Sequence, residues 1–231
     1  MSDPKVSYPG LDILQALSRA TNYNALLLDL ILKSACGRRR MLDFGAGIGT
    51  FSKLLRRKGI DVVCVEPDAY LSDALTREGF PTFRDLDQVP DSSFEFIFTL
   101  NVLEHVEDDQ ATLCRLGAKL KRHGRLLVYV PAFEYLWTSL DDKLNHSRRY
   151  RLADLERLAR SAGLSVRESR YVDSFGFFAA LGFKIFGNKH GDLSARAITL
   201  YDRYFVPPSR VLDPLLGRLL GKNVYVIALK N

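Results

Sequence analysis

Apolar residues recur at helical spacing across residues 11–35, where Leu14, Leu17, Leu26, Leu27, Leu30 and Ile31 form a stripe. This predicts one or two amphipathic helices ahead of the main body. From Arg40 the period changes. Short apolar runs at 41–44, 61–65, 80–83, 94–100 and 125–130 predict strands, and stretches at 50–58, 69–77 and 108–121 predict helices, the last closed by His123-Gly124. A helix over 152–162 ending at Gly163, a strand over 165–171 and a final strand over 224–229 complete the pattern. Strands of this length alternating with helices favour right-handed βαβ units, hence an α/β architecture: a mostly parallel sheet with helices on both faces. Ligands of such sheets bind beyond the carboxyl ends of the strands where strand order reverses. The loops after Phe44, Val65, Phe83, Leu100 and Val130 are therefore where a site is expected.

Composition narrows this only modestly. The chain has 231 residues, and 47% hydrophobic content suffices for a substantial core. Its 33 Lys and Arg against 27 Asp and Glu give +6, which favours anionic partners, but the basic residues are scattered. The densest cluster, residues 38–40, directly precedes a strand and reads as its solubilising flank. Cys36, Cys64 and Cys114 lie far apart without CxxC spacing, so neither a disulfide framework nor a zinc site is expected, and no metal centre is anticipated. The first ten residues lack a secretory pattern, from which a cytoplasmic location is expected. The longest apolar run, 175–186, is interrupted by Gly176, Gly182 and Lys184 and is too short to span a bilayer.

The first strand leads into Asp43-Phe-Gly45-Ala46-Gly47-Ile-Gly49-Thr50. Its glycines allow a tight turn and a close approach of backbone to ligand. A dinucleotide fingerprint would need its third glycine at position 50, where Thr50 stands. Asp43 places negative charge where a diphosphate would lie and instead suits an ammonium group. Glu66 closes the second strand, followed by Pro67, and is placed to accept the hydroxyls of a ribose. Together these residues suit a nucleoside-containing cofactor that carries an amino group.

Asp43-x-Gly45-x-Gly47-x-Gly49, Glu66 and Asn101-Val-Leu-Glu-His-Val106 resemble the class I S-adenosylmethionine-dependent methyltransferases over residues 38–173. The resemblance implies a Rossmann-like seven-stranded sheet whose last strand is antiparallel, with S-adenosyl-L-methionine as cofactor. It implies that Gly45 and Gly47 approach the methionyl part and that Glu66 holds the ribose. It further implies that Asp85 binds the adenine amino group, Leu86 packs on the ring and Asn101 lies beneath the methionyl chain. Asp85 can also be read as a solvated turn residue. Glu104 reads as a favourable charge at a helix start, and His105 as structural.

The loop after the fifth strand faces the methyl group in that architecture. Residues 131–150 resemble a methyltransferase subgroup with a Leu-Trp-Ser-x-x-Asp-x-x-x-Gly-His-x-Arg-Arg-Tyr pattern. Leu136, Trp137, Asp141, His146, Arg148, Arg149 and Tyr150 match; Thr138 replaces the serine and Asn145 the glycine. Asn145 tolerates a left-handed backbone, so the turn is expected to survive. His146 is a candidate general base oriented by Asp141, with a role in tying the loop down as the alternative. Arg148 and Arg149 are candidate clamps for an acceptor phosphate or carboxylate, and Trp137 and Tyr150 candidate pocket walls.

The expected function is methyl transfer to a small-molecule, saccharide or lipid-linked acceptor, at oxygen. A non-catalytic cofactor-binding scaffold is the alternative. A nucleic-acid methyltransferase is disfavoured by Asn101-Val-Leu-Glu104 standing where an Asn-Pro-Pro-Tyr-type motif would be, and no nucleic-acid partner is expected. The chain divides as 1–37, a helical cap; 38–173, the cofactor-binding core; 174–221, an aromatic-rich helical insertion; and 222–231, the last strand. The insertion reads as an acceptor cap, a homodimer interface or a peripheral membrane contact, the last suggested by Lys184, Lys189, Arg196 and Arg203 beside Phe and Leu stripes.

Overall fold

The computed structural model describes residues 10–186 and 194–231; Lys189 lies outside the described residues. Seven strands form one sheet: β1 (Arg40–Phe44), β2 (Asp61–Val65), β3 (Thr82–Phe83), β4 (Phe94–Leu100), β5 (Leu120–Pro131), β6 (Leu164–Val172) and β7 (Asn223–Lys230). Their order is β3-β2-β1-β4-β5-β7-β6. The pairings from β3 through β5 are parallel, and β7 runs antiparallel to both β5 and β6. Strand order therefore reverses between β1 and β4, and a ligand crevice follows at their carboxyl ends.

The helices are α1 (Leu11–Leu17), α2 (Thr21–Ala35), α3 (Thr50–Arg56), α4 (Ala69–Arg77), α5 (Asp109–Lys119), α6 (Ser139–Lys143), α7 (Leu152–Ser161), α8 (Ser174–Phe186), α9 (Ala195–Tyr204) and α10 (Val206–Leu216). The strand alternation assigns side chains to two cores. Leu42, Ile97, Leu126 and Val128 meet Leu113 and Leu116 of α5 and Leu155 of α7. On the other face Met41, Phe96, Phe98 and Leu127 meet Leu27 and Ile31 of α2 and Leu55 of α3. Each such fully buried leucine contributes about 1.5–3 kcal/mol.

Two expectations shift. The helix over 108–121 ends at Lys119, because Leu120 is drawn into the core and pairs with Phe94 across an irregularity in the ladder, so β5 starts five residues early. The third strand shrinks to two residues at the sheet edge.

Helices α8, α9 and α10 are rooted against the sheet and α2 by buried polar bonds. Asp173, fully buried, accepts from Ser209 Oγ (2.8 Å) and Tyr201 Oη and lies 3.3 Å from Lys222 Nζ. Asp213 accepts the backbone N–H groups of Asp173 and Ser174 at 2.8 and 2.9 Å, capping α8. Asp202 of α9 likewise accepts from Tyr23 N at 2.8 Å, capping α2 from far along the chain. Among the described residues no helix is long and apolar enough to cross a membrane.

Candidate functional site

The glycine turn sits at the strand-order reversal. Gly45, Gly47 and Gly49 take φ values of 78°, 56° and 72°, the left-handed region that disfavours side chains. A Cβ on Gly45 would lie 2.3 Å from Val102, so the turn after β1 packs directly against the loop after β4. Leu14 of α1 lies over Gly47, 3.4 Å from where its Cβ would be. Ala46 N donates to Val65 O at 3.2 Å, and Pro67 is exposed beside Glu66. Glu66 Oε2 accepts from Gly47 N at 2.7 Å and Oε1 from Asp68 N at 3.0 Å. The carboxylate is thereby held at the mouth of the glycine turn, although burial raises its pKa.

Asp43 has a different situation from the expected open carboxylate. It is buried beneath the turn, accepts from Ser52 Oγ at 2.6 Å, and burial pushes its pKa up to about 7. Its committed partner is therefore the start of α3. Asp85 is exposed, caps a short 3-10 turn (Leu86–Gln88), and accepts from Arg115 at 2.7 Å and Asp87 N at 2.8 Å. Leu86 is buried in the core beside Val63, Val65 and Val89. Asn101 occupies the left-handed region (φ 53°) at the carboxyl end of β4, and its Oδ1 accepts from Asn223 at 3.4 Å.

The loop after β5 folds as the sequence pattern suggested in outline. Thr138 and Asp141 form a capping box that starts α6, and Asn145 takes φ 56°. His146 Nδ1 then reaches Asp141 Oδ1 at 2.8 Å. The arginines are occupied within the protein. Arg149, with its side chain 8% exposed, makes two 2.8 Å bonds to Asp141 and one of 3.1 Å to Ala132 O. Arg148 bonds Glu107 O and Asp109, both at 2.9 Å. Tyr150 is buried and donates toward Leu103 O and Asp109, while Trp137 donates to Asp142 within its own loop. The clamp and wall roles expected of these four meet side chains already committed to internal partners. Burial opposes ionisation of Asp141, but the bonds from His146 and Arg149 outweigh it and hold its carboxyl well below the usual range.

Sequence reasoning missed Glu104. It lies on a 3-10 turn (Leu103–His105), is 0% exposed, and neither carboxylate oxygen has a hydrogen-bond partner. Burial raises its pKa to about 8. Its turn is too short for the helix-start role that the charge suggested. His105 is held by the backbone of Leu144 and Asn145, and its ring meets that of His146 edge-on at 4.8 Å. Burial, then His146, lowers its pKa to about 4, so the imidazole is neutral near pH 7. The signal available in sequence was a Glu-His pair placed at the carboxyl end of a central strand.

A profile of the methyltransferase domain matches residues 15–169. No curated protein matches the chain by sequence. By structure it is similar to a SAM-dependent methyltransferase from Archaeoglobus fulgidus, with 18% identity, 90% of this chain and 94% of that chain covered, and a TM-score of 0.59. It is also similar to geranyl diphosphate C-methyltransferase from Streptomyces coelicolor A3(2), solved with Mg2+, geranyl diphosphate and S-adenosyl-L-homocysteine (13% identity, 90% and 79% covered, TM-score 0.62). A third is Haemonchus contortus phosphoethanolamine N-methyltransferase 2 with S-adenosyl-L-methionine, at 17% identity, 90% and 52% covered and a TM-score of 0.57. At these identities the likeness is one of fold.

Proposed function

Because the chain belongs to the methyltransferase domain family and has the fold of S-adenosylmethionine-dependent methyltransferases, we propose that it methylates a small, saccharide or lipid-linked acceptor at oxygen. The observation that carries the reading is the contact between two loops. The glycine turn with Glu66 abuts Val102, and two residues further on Glu104 and His105 meet His146. A cofactor-holding loop thus adjoins a cluster able to engage an acceptor.

The residues present fit the cofactor: the left-handed glycine turn carries main chain without side chains to the crevice at the strand-order reversal, and Glu66 presents a fixed carboxylate beside it. Gly45, Ala46, Gly47, Gly49, Glu66 and Asn101 would hold it. When bound, it supplies a methyl group on a sulfonium. The protein's share is alignment and exclusion of water. His146 engages the acceptor oxygen through Nε2, since the ionised Asp141 can only accept and therefore takes the Nδ1 proton. Arg149 holds Asp141 in turn, a positioning role.

A lipid-linked acceptor is favoured by exposed apolar side chains on α8 and α10 and just beyond, among them Phe186 at 87% and Leu215 at 76%. In this reading residues 174–221 cap the acceptor and meet a membrane surface. Calorimetric titration of the full chain with S-adenosylmethionine tests the cofactor assignment. One site per chain is expected, and no measurable heat at any temperature tried overturns it.

A further inference from the structure

Glu104 requires an explanation that the methyl-transfer reading does not provide. A carboxyl with both oxygens buried and unpartnered costs several kcal/mol relative to a satisfied one, and native proteins retain such a group where water, an ion or a function answers it. The two side chains nearest in chemistry are imidazoles. One ligand atom each from Glu104, His105 and His146 lies within 4.8 Å of the other two. Ligand atoms around a four-coordinate cation are roughly 3.3 Å apart, so the widest pair must close by about 1.5 Å, within reach of side-chain torsions. Glu104 breaks no side-chain hydrogen bond in moving.

The surroundings are those that orient metal-binding histidines. His146 has its Nδ1 on Asp141, a carboxylate itself gripped by Arg149 and Thr138, which leaves Nε2 as the nitrogen available to a cation. His105 is steadied by the backbone at Leu144 and Asn145. The two segments that carry the three residues are fastened together by Ser147 N donating to Glu104 O at 2.7 Å and Tyr150 Oη donating to Leu103 O at 3.1 Å. Two imidazoles and one carboxylate suit zinc, manganese, iron or cobalt better than magnesium or calcium, which prefer oxygen alone.

We propose that Glu104, His105 and His146 bind a divalent transition-metal cation, with its remaining positions open to an oxygen of the acceptor. The cysteine spacing that argued against a metal centre does not bear on this donor set. With Nε2 on the cation, His146 meets the acceptor oxygen through the cation and not directly as proposed above; only the assignment of the open positions rests on that function, and the cation site stands on its own residues.

The test uses the full chain, stripped with chelator, dialysed and titrated with Co2+, then with Zn2+ as competitor. One Co2+ per chain with ligand-field absorption, displaced by Zn2+, is expected. Glu104→Gln and His146→Gln should each weaken binding at least tenfold, Asp141→Asn by about 10- to 100-fold, and His123→Gln, near the amino end of β5, should leave it unchanged. Circular dichroism verifies folding of each variant, and His146→Gln, on the outer loop, is the variant that decides if Glu104→Gln does not fold. Absence of stoichiometric Co2+ binding, or binding that survives His146→Gln undiminished, overturns the proposal. Titration with S-adenosyl-L-homocysteine on the same samples reads the cofactor site separately, so loss of one reading is distinguishable from loss of the other.

Discussion

Nδ1 of His146 stands 2.8 Å from Oδ1 of Asp141, in a carboxylate that is bonded on both oxygens by Arg149. The arrangement fixes the tautomer and the plane of the imidazole and leaves Nε2 without a part in the Asp141 contact, in a ring that meets that of His105 edge-on at 4.8 Å.

His146→Gln should therefore lower turnover by about 10²- to 10⁴-fold, while calorimetry shows cofactor affinity close to that of the wild type. Turnover within a few-fold of wild type would return His146 to a loop-tying role.

The adjacent arginines should behave differently from each other. Arg149 is buried against Asp141 and its loss leaves a buried carboxylate without its arginine, held only by His146 and Thr138, so Arg149→Ala should cost about 3–5 kcal/mol in urea unfolding. Arg148, with its side chain 32% exposed, pairs with Asp109 nearer the surface, and Arg148→Ala should cost about 0–1 kcal/mol. Equal losses would contradict the assignment.

Glu66→Gln should weaken S-adenosyl-L-homocysteine binding by about one to two orders of magnitude, since hydrogen bonds to a charged group contribute about 1.5–3 kcal/mol. Unchanged affinity would remove Glu66 from the cofactor site.

Asp43 makes stability depend on pH. Its folded pKa of about 7 lies above the ordinary 3.8, so between these values the native state keeps a proton that the unfolded chain releases. The contribution is fully present below about pH 4 and is lost as pH rises through 7. Asp43→Asn, unable to ionise, should flatten the fall of Tm across this window in the cofactor-free protein. Parallel curves for the two proteins would count against a raised pKa.

Ile185, Phe186, Val211, Leu215 and Leu219 are exposed, alongside Arg203, Arg210 and Arg218. Flotation with anionic vesicles should carry the wild type upward, and Phe186→Ser with Leu215→Ser should reduce it. A chain that stays at the bottom under all lipid compositions has no membrane contact, which leaves the cap and dimer readings of the insertion.

Periodicity alone determined the alternation of strands and helices, because alternate residues of a strand face opposite cores, as Met41 and Leu42 do, whatever the rest of the chain does. Local chemistry likewise determined the glycine turn and the left-handed Asn145, since φ is decided by the residue and its neighbours. Which side chains would be spent on one another was not legible. Asp43 turned to Ser52, Leu86 to the core and Arg149 to Asp141 because burial makes an unpaired polar group or an exposed leucine costly, and the nearest partner is a matter of packing. Glu104 and His105 lie some forty residues before His146, and only the contact of the loops after β4 and β5 places the three together.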